Sequence, residues 1–208
     1  EESPVGEHQS NGRIESCIRQ LQGTFRAMKD ALEARLGEKI SGDSWAVPWL
    51  IKHAGAMMNR LKVNATGRTA YEELKGRKYR KELIEFGERV HYLKPETAGK
   101  DKFNSRWDEG VYVGHRDETG EVILGTPEGM LKVRTVKRKG SNNERWDTQK
   151  FREVKGTPWE PIPGREGIEI RSRVTIYDDI DRPSEVQQGV ARDISRKRLK
   201  ITVQDIRE

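Results

Sequence analysis

The chain has 208 residues, 33% hydrophobic and 36% charged, and its 40 Lys and Arg against 34 Asp and Glu leave a formal net charge of +6. That composition allows one ordinary domain or two small ones with a modest core, and it predicts a poorly ordered region beside them. No stretch approaches the roughly 20 apolar residues needed to span a bilayer, no charged-then-apolar leader opens the chain, and the single Cys17 excludes an internal disulfide.

A soluble intracellular protein of the nucleus or cytoplasm is therefore expected, with no membrane partner. Its basic balance points to nucleic acid as the first candidate partner. The excess is localised: residues 140–208 carry 14 basic and 13 acidic side chains, so +5 of the +6 lies in residues 1–139. The chain opens at Glu1 without a methionine and reaches its motif-bearing segment within a few residues, so it is expected to be a piece of a longer polyprotein.

In chain order, Ile14, Ile18, Leu21, Phe25, Met28, Leu32 and Leu36 recur at steps of three and four, the period of a helix with one buried face. Ser10 or Asn11 can cap its start and Gly37 is a natural stop. Gly23 costs this helix about 1 kcal/mol relative to alanine unless a neighbour packs closely there. A second helix is expected from Pro48, with Leu50, Ala54, Met57, Met58 and Leu61 facing inward. A short third helix is expected over Thr69 to Lys75, followed by the basic run Gly76-Arg77-Lys78-Tyr79-Arg80-Lys81, read as a linker.

From Phe86 the pattern becomes one of short strands, at 89–94, 110–114, 121–126 and 131–136, with turn residues between the last three. This is the spacing of a meander closing into a small barrel. Beyond Lys139 the chain is charge-mixed and contains the Pro-rich stretch 156–164, so residues 140–195 are expected to be mostly disordered. The predicted organisation is a helical region over 1–82, a small β-barrel over 83–139 and a tail over 140–208. Trp45, Trp49 and Trp107 are expected to fill the core, and Cys17 to be a buried structural thiol. His8, His53, His91 and His115 lack the cysteine spacing of a zinc site.

Glu15 follows the first apolar position of the first helix and so lies about 100° from its core face. Arg19, Gln22, Arg26 and Lys29 follow at steps of four and three, so the carboxylate heads a polar stripe that turns basic along the helix. A carboxylate for a divalent metal beside cations for phosphates is the pairing that phosphoryl transfer on DNA requires. Spacing alone favours a plain structural explanation, in which Glu15 favours the helix dipole and pairs with Arg19.

The segment Ser3-Pro4-Val5-Gly6-Glu7-His8-Gln9-Ser10-Asn11-Gly12-Arg13-Ile14-Glu15 resembles the part of retroviral and retrotransposon integrases where Asn-Gly-x-x-Glu supplies the last carboxylate of a D,D,E site. Trp45, His53-Ala54, Asn59-Arg60 and Gly67-Arg68-Thr69-Ala70-Tyr71-Glu72 before Gly76 are similar, in order, to the copia-type pattern. Phe86-Gly87 and Gly110-Val111-Tyr112-Val113-Gly114 resemble the barrel that follows the core in such polyproteins. The likeness spans residues 3–138; one departure is that the proline usually close before Asn-Gly stands here as Pro4, seven positions upstream.

The resemblance implies an α+β chain: the C-terminal helical part of a ribonuclease-H-like integrase core, then a barrel of the Src-homology-3-like type, then the tail. It implies Glu15 as a catalytic ligand of Mg, whose partner aspartates precede Glu1, and a fragment inactive alone. Asp30, Asp43 and Asp101 follow the glutamate, the wrong order for those partners. It also makes Arg13, Arg19, Arg26 and Lys29 candidates for phosphates of element or target DNA, in a protein that assembles as a multimer. Two alternatives are a degenerate remnant that only binds nucleic acid, and a domesticated scaffold that uses its tail for protein contacts.

Overall fold

A computed structural model describes residues 12–94, 105–116, 119–165, 167 and 170. By contact the chain divides into Glu1–Val174 and Thr175–Glu208, and every described residue belongs to the first unit. It is α+β, with helices beside a five-stranded antiparallel sheet.

Helix α1 (Gly12–Leu36) is the predicted long amphipathic helix, and its C-terminal half is anchored by the burial of Leu32 and Leu36. Its end is organised by Glu33, whose carboxylate is only 5% exposed. That carboxylate accepts the Ile40 amide at 2.8 Å and the Lys39 ammonium at 2.8 Å, and pairs with Lys29 one turn back. These donors, Lys29 first and then Lys39 and the amide, hold its pKa down to about 2. The chain is thereby turned from α1 into helix α2 (Ala46–Leu61).

Helix α2 starts two residues before the expected Pro48, which sits in its first turn where a missing amide costs nothing. Its buried face is Ala46, Trp49, Leu50, His53, Ala54, Met57 and Arg60. That corrects the expected face: Leu61 is 51% exposed and Met58 only half-buried, because the packed stripe is rotated toward His53 and Arg60.

Helix α3 (Ala70–Lys75) opens with a capping box in which Thr69 accepts the Glu72 amide and Glu72 accepts the Thr69 amide. The preceding loop is fastened by the Asn64 side chain, which accepts from the amides of Thr66 and Arg68. The basic run after α3 is anchored as well as connecting: Tyr79 packs edge-on against Tyr71 at 5.3 Å, and the Arg60 guanidinium lies 4.9 Å above its ring.

The sheet has the order β4-β3-β2-β1-β5, with β1 (Arg89–Leu93), β2 (Trp107–His115), β3 (Val122–Thr126), β4 (Gly129–Val133) and β5 (Val136–Arg138). The single strand expected over 131–136 is two, because the chain breaks at Arg134-Thr135 and β5 crosses to the far edge beside β1. The sheet is open: β4 and β5 are its edges and do not pair with each other among the described residues.

Both faces of the sheet are apolar. Val111, Val113, Ile123 and Met130 join Leu32, Leu36, Trp49, Leu50 and Phe86 in one cluster, so helices and sheet share a core across residue 82. Val90, Tyr92, Tyr112, Leu124, Leu131 and Val133, with Ile84, form a second cluster among the strands themselves. Tying the sheet edge in, Glu88 is wholly buried and receives two Arg138 hydrogen bonds of 2.7 Å each.

The expectation of a disordered stretch from residue 140 is corrected for its first part. A 3-10 turn (Asn143–Arg145) leads to helix α4 (Thr148–Glu153), capped by Asp147, which accepts the Lys150 amide at 3.0 Å. Phe151 and Val154 are buried in the shared core, and the indole N–H groups of Trp45 and Trp49 donate to the carbonyls of Phe151 and Gly156 at 3.0 Å each. Mixed charge hid a few apolar anchors that meet partners more than 100 residues away in sequence. Residues 171–208 lie outside the described residues.

Candidate metal and nucleic-acid interface

The N-terminal half of α1 carries the predicted site. Gly12 begins the helix and Glu15 stands exposed in its first turn. Asn11 and His8 lie outside the described residues, as does the side chain of Arg13. Among the described residues Glu15 and Arg19 make no ion pair, which removes the pairing part of the plain structural explanation. Arg19 and Arg26 are exposed on the same side of the helix, with Arg26 Nε donating to the Gln22 carbonyl at 3.2 Å. Glu15 and Arg26 are separated by about 16 Å along the axis and by about 20° around it.

Lys29 completes the stripe in sequence but not in space. It is half-buried and committed to Glu33, so the structure gives it a fold-holding task at the end of α1. Cys17 is also corrected: it is exposed and lines a cleft between α1 and the end of α2 with Ser16, Gln20 and Asn59, on a side of the helix turned away from Glu15.

Ile14 and Ile18 are 62% and 50% exposed although they belong to the apolar stripe. Near them α2 approaches α1 at Leu21, whose Cδ1 would stand 4.0 Å from a Cβ at Gly55, and Lys62 just past the end of α2 donates to the Gln20 side chain.

The described residues do not by themselves complete a metal site. No group of three or more His, Cys, Asp or Glu able to hold an ion occurs among the described residues. Asp30 and Glu15 are separated by about 22 Å along α1, and Asp43 is turned to the Ser41 hydroxyl. Magnesium takes near-octahedral oxygen ligation from one or two carboxylates together with waters and phosphates, so Glu15 could supply one ligand and the other groups would have to come from outside the described residues.

A second polar constellation was not apparent from sequence. His53, on α2, is 6% exposed and packed between Phe86 at 5.6 Å and the edge of Tyr112 at 5.9 Å. Burial first, then the nearby positive charges of Arg60 and His115, hold its pKa down to about 4, so the ring is neutral at neutral pH. Its Nδ1 has no hydrogen-bond partner among the described residues. The Tyr112 hydroxyl lies 2.7 Å from His115 Nδ1, and burial raises the Tyr112 pKa well above that of free tyrosine. The only sequence signal for this constellation was that both histidines fall within the resemblance.

No family model, curated protein or solved structure matches the chain. None of the helices among the described residues is long and apolar enough to cross a membrane.

Proposed function

We propose that this chain is the downstream part of a copia-type integrase that acts on DNA, with Glu15 as one carboxylate of a metal site completed by residues outside it. The observation that carries this reading is the placement of Glu15, exposed in the first turn of α1 three residues after Gly12 and beside the exposed Ile14 and Ile18. Those two side chains are where a further body, such as the rest of a ribonuclease-H-like core, would be seated, and that body would bring its own carboxylates to Glu15. Burying an Ile side chain contributes about 1.5–3 kcal/mol, so the pair offers such a body a useful apolar anchor.

The sheet supports the second half of the reading. Its order, with β1 between β2 and β5, and the apolar cluster that the strands form among themselves suit a Src-homology-3-like barrel. Arg19 and Arg26 extend the exposed basic stripe along which a phosphate backbone would lie. Magnesium would be held in the assembled protein, which would act as a multimer on element and target DNA.

A second reading is favoured by the incomplete carboxylate set: a remnant that binds nucleic acid without catalysis, or a scaffold. The two are separated by joining the chain to an upstream core carrying two spaced aspartates and measuring strand transfer with Glu15 and with Glu15→Gln. Equal activity removes Glu15 from the reaction. For binding, DNA affinity is measured against salt, and a slope near zero rejects both nucleic-acid readings.

A further inference from the structure

Between α2 and strands β2 and β3 lies a cleft of about 280 Å³, lined by Lys52, His53, Asn59, Gly114 and His115 among others. Among the described residues no acidic side chain lines it. Its floor is the buried ring of His53, and the direction of that ring follows from Gly114: a Cβ built there would lie 3.9 Å from His53 Nδ1, so the unpartnered nitrogen faces the wall of this cleft. A buried polar atom without a partner is destabilising, and a ligand atom that meets it relieves that cost.

The wall is shaped for access. Pairing between β2 and β3 shifts register between Tyr112 and Gly114, so Val113 is the extra residue of a bulge. Bulges of this kind re-aim the chain beside sites, and here the bulge sets side-chain-free Gly114 against the histidine and brings His115 into the lining. On the other side, Lys52 is held with its ammonium 5.3 Å above the Trp49 ring. Its described lining therefore combines the Lys52 ammonium, the Asn59 side-chain amide and the imidazoles of His53 and His115.

We propose that this cleft is a phosphate seat, in which a phosphate oxygen accepts from His53 Nδ1–H while Lys52, Asn59 and His115 surround the remaining oxygens. This deepens the nucleic-acid reading above by naming a contact outside the α1 stripe, and it rests on that reading only for the source of the phosphate. The source is either a phosphodiester of DNA or a small phosphate compound.

The test is a titration of the full chain followed by long-range ¹H–¹⁵N spectra of the histidine rings, at constant pH and ionic strength. One arm adds inorganic phosphate in place of chloride and the other adds a short DNA duplex. The expected result is a saturable shift of His53 and His115 that Gly114→Val weakens about tenfold, because its side chain fills the cleft and blocks one hydrogen bond to the ring. Melting of Gly114→Val is compared with that of the wild type, and Lys52→Ala, at an exposed position, serves as the second variant if Gly114→Val fails to fold. A response to DNA but not to phosphate supports the seat with nucleic acid as its source. A response to phosphate but not to DNA supports the seat and separates it from the DNA reading. Ring signals unmoved in both arms, or shifts unchanged in the variants, overturn the proposal.

Discussion

The buried ion pair between Glu88 and Arg138 should respond unequally to removal of its two members. Glu88 is fully buried, while the Arg138 side chain is 22% exposed and also reaches Glu82 at 3.0 Å. Arg138→Ala leaves a carboxylate inside the protein whose one remaining cationic partner among the described residues is Arg145, with Nε at 3.7 Å, and stranding a buried charge in this way costs about 3–5 kcal/mol. Glu88→Gln leaves a neutral amide that still accepts one of the two arginine bonds, and Arg138 can turn toward water and Glu82, so about 1–2 kcal/mol is expected. Against a domain stability of about 5–15 kcal/mol the first change is severe and the second tolerable. Urea unfolding followed by tryptophan fluorescence measures both, and the double variant gives the coupling between them. If Glu88→Gln proves the costlier change, or Arg138→Ala costs under about 1 kcal/mol, the pair does not hold β5 to β1 as described.

Gly23→Ala should stabilise α1 by about 1 kcal/mol and raise the melting temperature by about 2–4 °C, since no neighbouring atom lies within 4 Å of the added Cβ; an unchanged or lower midpoint would show that this part of the helix is not formed in solution. Gly125→Ala should cost about 1–3 kcal/mol, because its Cβ would fall 2.5 Å from Val154 Cγ1, and adding Val154→Ala should recover part of the loss in the same urea experiment if the clash is real. Glu33 has a folded pKa depressed to about 2 against an ordinary 4.5, so its stabilisation is fully present above about pH 5 and is lost as pH falls from there toward 2. Glu33→Gln should flatten that part of the stability–pH curve, and an unchanged acid limb would reject the assignment. Arg19→Ala and Arg26→Ala should each lower the salt slope of DNA binding by about 0.9, whereas Lys29→Ala should weaken folding through Glu33 and leave the slope of the folded protein unchanged.

Local periodicity made α1, α3 and most strand positions readable, because each is set by residues within a few positions: the three-and-four stripe of α1, the Thr69–Glu72 box, and the turn residues before β4. What was not readable depends on distant partners. The inward face of α2 is rotated onto His53 and Arg60 by the ring of Phe86 and by the Tyr79 anchor, neither of which leaves a mark in the helix's own spacing. Phe151 and Val154 sit in a charged segment whose average composition argues for disorder, yet two indole donors and a shared core over 100 residues away in sequence fix them. Lys29 matched the basic stripe by period, and only the buried carboxylate one turn along shows that it is already committed.

Several positions that carry the integrase resemblance also have local structural tasks, and this changes how much each can say about function. Thr69 and Glu72 form a helix cap, and Arg60 packs against Tyr79. Gly87, at φ 87°, allows Leu32 to approach to where a Cβ would be 2.5 Å away. Selection for folding alone would retain such residues in a protein with no DNA chemistry. Glu15 differs: it is exposed and forms no ion pair or hydrogen bond with a described residue, and its favourable placement near the helix dipole is worth only about 0.3–1 kcal/mol. Glu15→Gln therefore leaves the fold in place, and loss of strand transfer in the completed core would report on the reaction and not on stability. The same substitution made in the isolated chain should leave DNA affinity unchanged or slightly improved, since it removes a negative charge from the basic stripe; a fall in affinity would mean that Glu15 orders the phosphate-binding residues and does not serve as a metal ligand.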